Sequence, residues 1–212
     1  MESSLILGNT LPDIGIIGLS DFGRFAHFEW YGSFKTDAVI ARFEELLSEF
    51  VDYCEDAFIA SIRLFLETVK THSGSEALWF TVRFSKPNHV FDIPRWHRDG
   101  PMFTGGATKY ISTPLGPQTL LLEETPVVTK YCSGRNYEVN RSMLAQALQF
   151  EPTIKLQPRQ MFRITCGELN SPVHSEPSFD SPRIFVSAVP GTKTQIKEMV
   201  NKREVREGFI DC

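Results

Sequence analysis

The hydrophobic period changes from helical to strand-like at Ser73-Gly74, and that change narrows the folds open to this chain. Before it, Val39, Ile40, Phe43, Leu46, Leu47, Phe50 and Val51 recur at helical spacing, with Thr36 or Asp37 placed as a cap. Phe58, Ile59, Ile62, Phe65, Leu66 and Val69 continue the pattern to about Lys70, as one long helix or two abutting ones. Ser73-Gly74 ends it. Beyond that point the chain reads as strands: Leu78–Phe84, Phe91–His97, Thr108–Thr113, Thr119–Glu123, Val127–Tyr131, Gln160–Cys166 and Arg183–Val189. Asn140 is placed to cap a short helix through Met143, Leu144, Ala147 and Leu148, and a last amphipathic helix runs from Thr194 to about Arg206. The first 35 or so residues read as irregular structure with a strand or two. A helical stripe this apolar needs a large surface to cover. Many short strands divided by Gly and Pro turns therefore imply an α+β protein, a barrel or sandwich with helices on one face.

The 212 residues suit one domain: residues 1–75 as N-terminal part and supporting helices, 76–190 as the β core, 191–212 as a C-terminal helix. Hydrophobic residues make up 42% and include 17 Phe, which excludes a disordered chain. A formal charge of −4 argues against a broad nucleic-acid-binding face, since phosphate contacts need clustered Lys and Arg. Lys193, Lys197, Lys202, Arg203 and Arg206 do gather near the end, but Glu198, Glu204 and Glu207 among them make a solvated helix face. No apolar run reaches the roughly 18 residues needed to span a bilayer, and Met1–Leu11 lacks the pattern of a signal peptide. Cys54, Cys132, Cys166 and Cys212 are scattered, with no C-x-x-C pair. The expectation is a cytoplasmic, reducing setting.

Chemistry concentrates at His97-Arg98-Asp99, the distant His174, and Arg183. In a strand, residues i and i+2 project to one side, so His97 and Asp99 can offer an imidazole and a carboxylate to one ion, and Gly100-Pro101 then turns the chain away. Alone, such a pair is more often an exposed His and Asp beside a turn. His174 lies in the polar loop Asn170–Pro177, and it is the one histidine of five that follows residue 97. Two imidazoles and a carboxylate are the set that holds non-haem Fe(II) on one face. Arg183 opens the apolar strand Arg-Ile-Phe-Val-Ser-Ala-Val, where a buried guanidinium must meet an anion. Ser187 shares its face. His97-Arg98-Asp99 also spells the start of a protein-kinase catalytic loop and Asp21-Phe22-Gly23 its metal-binding triplet, but the order is reversed and Thr104 stands where that loop needs Asn.

Over roughly Leu78 to Val189 these residues resemble the Fe(II)/2-oxoglutarate-dependent oxygenases, whose core is a double-stranded β-helix, a jelly-roll or cupin-like barrel with supporting helices on one sheet. The family pattern is H-x-D, a distal His, then an Arg or Lys shortly after. The resemblance implies that His97, Asp99 and His174 bind Fe(II), that Arg183 holds the distal carboxylate of 2-oxoglutarate, and that Ser187 or Tyr110 assists it. The family's common Arg-x-Ser is absent, because residue 185 is Phe. Halogenases of the family lack the carboxylate ligand; Asp99 is present, which implies hydroxylation or a related C–H oxidation, of an organic small molecule. Two other readings remain open at this level: a cupin-like metal enzyme that does not use 2-oxoglutarate, and a non-enzymatic β-rich binding protein.

Overall fold

The structure, a computed structural model, describes residues 4–23, 25–87, 93–100, 103, 106–133, 141–167, 171–178 and 180–207. Six strands, β1 (Ser4–Thr10), β3 (Phe25–Ser33), β5 (Ala77–Ser85), β6 (Thr108–Leu115), β8 (Gln160–Thr165) and β10 (Arg183–Gly191), form one antiparallel sheet in the order β1-β8-β6-β10-β5-β3. Along β5 the pairing is continuous on both sides, from Arg183↔Ser85 to Gly191↔Ala77 and from Phe25↔Ser85 to Ser33↔Ala77. The period-2 alternation of these strands divides the sheet into two unlike faces. Leu78, Phe80, Val82, Phe84, Ile184, Val186 and Ala188 point to an apolar core, whereas Trp79, Thr81, Arg83, Phe185, Ser187 and Val189 line a cavity on the other side.

Helices α1 (Thr36–Leu46) and α2 (Asp56–Ser73) cover the apolar face. Their buried positions Val39, Ile40, Phe43, Phe58, Ile62, Phe65, Leu66 and Val69 are the stripe visible in the sequence. Phe43 sits at the centre, its ring edge-on to Phe28 at 5.0 Å and Phe58 at 5.8 Å; burying one such side chain contributes about 2–3 kcal/mol. Gly74 ends α2 in the left-handed conformation at φ 60°, its N–H bonded to the Lys70 carbonyl, which glycine adopts without a Cβ penalty. The two helices do not abut. A 3-10 turn at Leu47–Glu49 and strand β4 (Val51–Cys54), paired with β2 (Ile17–Leu19), separate them. Phe50 and Val51 keep their place in the core although the backbone has left the helix.

A narrow second layer lies apart from the main sheet. Strand β7 (Leu120–Leu121) pairs with β9 (His174–Ser175), His97 bridges His174 on one flank, and Leu122 bridges Thr153 on the other. From Ala77 on, the chain alternates between layers: β5, the His97 bridge, β6, β7 and the Thr153 bridge, β8, β9, β10. Behind this ribbon Trp96, Leu122, Val128, Leu144, Leu148 and Val173 form a smaller core with α3 (Pro126–Tyr131) and α4 (Arg141–Ala147). The last helix, α5 (Lys193–Glu207), packs Ile196, Met199 and Val200 on Ala77, Trp79 and Val189.

Three further expectations change. The segment expected as strand Val127–Tyr131 is α3, because Pro126 stands in its first turn and the Thr125 hydroxyl accepts from the Val128 N–H. The N-terminal part, expected as irregular structure with a strand or two, holds β2 and supplies β1 and β3 of the main sheet. The strand expected at Thr119–Glu123 shrinks to two residues. Of the strand expected at Phe91–His97, Phe91 and Asp92 lie outside the described residues, as do Pro101 and Asn140; Ile93–Trp96 is not strand, and His97 pairs through an isolated bridge. Among the described residues, no helix is long and apolar enough to cross a membrane.

Candidate metal centre and its cavity

His97 and His174 are held together by the backbone before their side chains are considered. Each N–H donates to the carbonyl of the other at 2.9 Å, the hydrogen-bonded pair of an antiparallel bridge, which sends both side chains to the same face. The ring centroids stand 4.3 Å apart. Asp99, two residues beyond His97, returns to that face; its N–H donates to the Ser171 hydroxyl at 3.0 Å, and its carbonyl accepts from Gly167 at 3.2 Å. One donor atom from each of His97, Asp99 and His174 lies within 4.8 Å of the others. Donors bound about 2.1 Å from one ion stand roughly 3 Å apart at right angles, so a cation would draw this triad inward. Tyr110, the possible helper, is not brought here. It projects from the other face of β6 into the core, edge-on to His72 at 6.2 Å, because its strand parity is opposite to that of Lys109 and Ile111.

The imidazole rings are fixed in orientation by their backbone contacts. The Nδ1 of His97 lies 2.8 Å from the Arg95 carbonyl and that of His174 2.9 Å from the Pro172 carbonyl. A carbonyl can only accept, so both Nδ1 atoms carry the proton and both Nε2 atoms present lone pairs. Burial holds both rings below the usual imidazole range, that of His97 furthest, helped by the charge of its neighbours His174 and Arg95. Burial alone would raise the Asp99 carboxyl. The Lys109 ammonium and the two imidazoles outweigh it, so Asp99 stays ionised below the ordinary carboxylate range. Lys109, on β6, places Nζ 3.3 and 3.4 Å from the two carboxylate oxygens. Lys109 is not legible as a site residue in the sequence, since a single Lys in an alternating strand carries no motif.

Arg98, between the two H-x-D ligands, turns away from the triad. Its guanidinium, 6% exposed, donates to the carbonyls of Cys132 and Ser171 and to the Glu124 carboxylate. This pins the H-x-D segment to the loop that carries His174.

Arg183 begins β10 with the strand parity of Phe185 and Ser187 but does not itself line the cavity, and it is only 2% exposed. Nε donates to the Pro117 carbonyl at 2.9 Å, and NH2 donates to the hydroxyls of Thr119 at 3.1 Å and Thr113 at 3.4 Å. NH1 has no hydrogen-bond partner among the described residues. Burial pulls its pKa down to about 10, partly offset by Glu176, so the group remains a cation at neutral pH. Glu176 is itself ion-paired with Arg83 at 2.6 Å and Arg95 at 3.6 Å. Ser187 stands on the same side of β10, on the cavity wall.

The cavity measures about 770 Å³ and runs over His97, Asp99 and Lys109 toward Trp79 and Phe103, whose rings stack at 6.1 Å. At its far side Glu29 accepts from the Trp79 indole N–H at 3.0 Å and pairs with Arg203 of α5. A cavity of this volume falls within the range of small-molecule sites.

No family model and no curated protein matches the chain. Among solved structures it is similar to a dioxygenase for auxin oxidation in rice, with 11% identity, 84% of this chain and 60% of that one covered, and a TM-score of 0.43. A Pseudomonas putida prolyl-4-hydroxylase is similar at 9% identity, with 82% and 77% covered and a TM-score of 0.37. The chain thus spans about three fifths of the length of the rice protein.

Proposed function

We propose that this chain is a non-haem iron oxygenase that uses 2-oxoglutarate to oxidise a C–H bond of a small organic substrate. The observation that carries the reading is the convergence of one donor atom each from His97, Asp99 and His174, brought together from two separated segments. The donor set fits Fe(II): two neutral imidazoles with their protons already committed to backbone carbonyls, plus one ionised carboxylate on the same side. Alternation of the chain between the main sheet and the narrow ribbon supports a double-stranded β-helix as the core, and we read the whole as one domain. Bound there, Fe(II) and 2-oxoglutarate would supply the oxygen-activating chemistry that couples decarboxylation of the oxo acid to substrate oxidation.

The chain's own groups position the reactants. Arg183, with Thr113 and Thr119 fixing one edge of its guanidinium, leaves NH1 for the distal carboxylate of the oxo acid, and Ser187 offers a further hydroxyl from the same face. Trp79, Phe103 and Phe185 exclude water from the substrate side of the cavity. The acidic net charge supports a small-molecule substrate over nucleic acid, and the unpaired thiols of Cys54, Cys132 and Cys166 support a cytoplasmic setting.

The test is anaerobic titration of the metal-free protein with Fe(II) and 2-oxoglutarate, followed by the visible metal-to-ligand charge-transfer band. The reading expects a band of one-to-one stoichiometry that disappears in His174→Ala. A folded wild-type protein that gives no band contradicts it.

A further inference from the structure

Among the described residues at the triad, Lys109 holds a position that the metal alone does not explain. Its ammonium lies across both oxygens of Asp99, its side chain is 17% exposed, and it stands on the cavity wall with Nζ 5.7 Å from the centre of the Phe103 ring. Among the described residues Asp99 is its only carboxylate partner. Other described carboxylates on or near the cavity are paired elsewhere: Glu29 with Arg203 and Trp79, Glu176 with Arg83 and Arg95, Glu124 with Arg98. Asp99 cannot give its full charge both to a divalent cation and to Lys109. Once a metal is seated, a largely buried ammonium is left beside it with no anion, which is costly unless a ligand supplies one.

We propose that Lys109 is the anion-binding residue of this cavity, paired with Asp99 until a divalent cation takes that carboxylate, so that the ligand accepted beside the metal carries a carboxylate or similar anionic group. The inference rests on the triad being a metal centre, and it adds to the oxygenase reading a second anion receptor, for the metal-proximal carboxylate of the ligand seated there. Arg183 is a separate anion receptor. It belongs to the Thr113 end of β6, four residues from Lys109, about 13 Å along an extended strand. Metal and anion are therefore linked through Lys109: each should tighten the other, and by the same factor.

The experiment measures Mn(II) affinity from the loss of the free-ion paramagnetic resonance signal, with no 2-oxoglutarate present. Butyrate is the anionic probe and butyramide its neutral twin. In the wild type, butyrate should tighten Mn(II) binding severalfold and butyramide should not. Lys109→Met should bind Mn(II) at least tenfold more tightly without any anion, and should lose the response to butyrate. Lys109→Gln serves the same purpose where the Met variant does not fold, and the wild-type comparison stands alone where neither does. Arg183→Gln separates the two receptors: the butyrate response should survive in it. A response that disappears in Arg183→Gln and persists in Lys109→Met overturns the proposal, as does a wild type in which butyrate and butyramide act alike. A wild type that binds no Mn(II) sinks the metal centre itself, which distinguishes that failure from this one.

Discussion

His97 and His174 exchange both backbone hydrogen bonds at 2.9 Å, so the two imidazoles are paired by main-chain register and not by the contact of their side chains. The pairing of the two rings therefore does not depend on a bound metal. Removing one ring should leave the bridge and the fold intact while destroying the site. His174→Ala is expected to weaken Mn(II) or Co(II) binding by more than about 100-fold, with a melting temperature for the metal-free protein close to that of the wild type. Calorimetric titration and thermal melts check both halves.

The burial of those rings has a consequence for stability against pH. Both protonate less readily in the folded chain than at the ordinary value of 6.5. On acidification the unfolded chain binds protons first, so this contribution is complete above 6.5 and declines as pH falls below it. Asp99 acts in the same direction but later, its contribution lost only in acid below its ordinary 3.8. The metal-free protein should melt at a lower temperature near pH 5.5 than near pH 7.5, and a His97→Asn, His174→Asn double variant should show a smaller difference. A double variant that keeps the full pH dependence would assign it to other groups.

Arg183 separates co-substrate binding from metal binding. Arg183→Gln should raise the 2-oxoglutarate concentration needed for half-formation of the charge-transfer band at least tenfold, as expected for a lost charge-assisted pair of about 1.5–3 kcal/mol. Fe(II) affinity in the absence of the oxo acid should change little, because Arg183 touches none of the three ligands.

Arg98 is the structural counterpart of its two neighbours. Arg98→Met strands the Cys132 and Ser171 carbonyls and frees the Glu124 carboxylate, which is 41% exposed and so recovers some solvation. A loss of about 3 kcal/mol in urea unfolding is expected. Metal affinity should fall too, since Ser171 orients the Asp99 backbone.

Gly116 lies under the start of β10 with φ +83°, and a Cβ there would stand 2.7 Å from the Pro182 carbonyl and 3.1 Å from the Arg183 Cα. Gly116→Ala should destabilise by about 1–3 kcal/mol and should raise the 2-oxoglutarate requirement by displacing Arg183. An unchanged melt would contradict the close approach.

What could be read in the sequence followed from periodicity and residue type. The stripe from Val39 to Val69 announced helices over a sheet because every fourth-residue apolar position is a core position. His97, Asp99 and His174 were legible because few side chains can hold a metal, and the sequence holds a single histidine beyond the H-x-D pair. What failed depended on geometry that residue type does not carry. Val127-Val128-Thr129 looks like a strand, yet Thr125 and Pro126 start a helix there. Tyr110 and Ser187 were equally plausible beside Arg183, but one step of strand parity sends Tyr110 into the helical core and Ser187 to the cavity. Lys109 became visible only when β6 was laid beside the triad.

The most direct measurement is anomalous diffraction at the iron edge from crystals grown anaerobically with Fe(II). The account predicts a single strong peak within about 2.3 Å of His97 Nε2, His174 Nε2 and an Asp99 oxygen. A protein that takes up iron elsewhere, with these three side chains still facing one another around no peak, would contradict it.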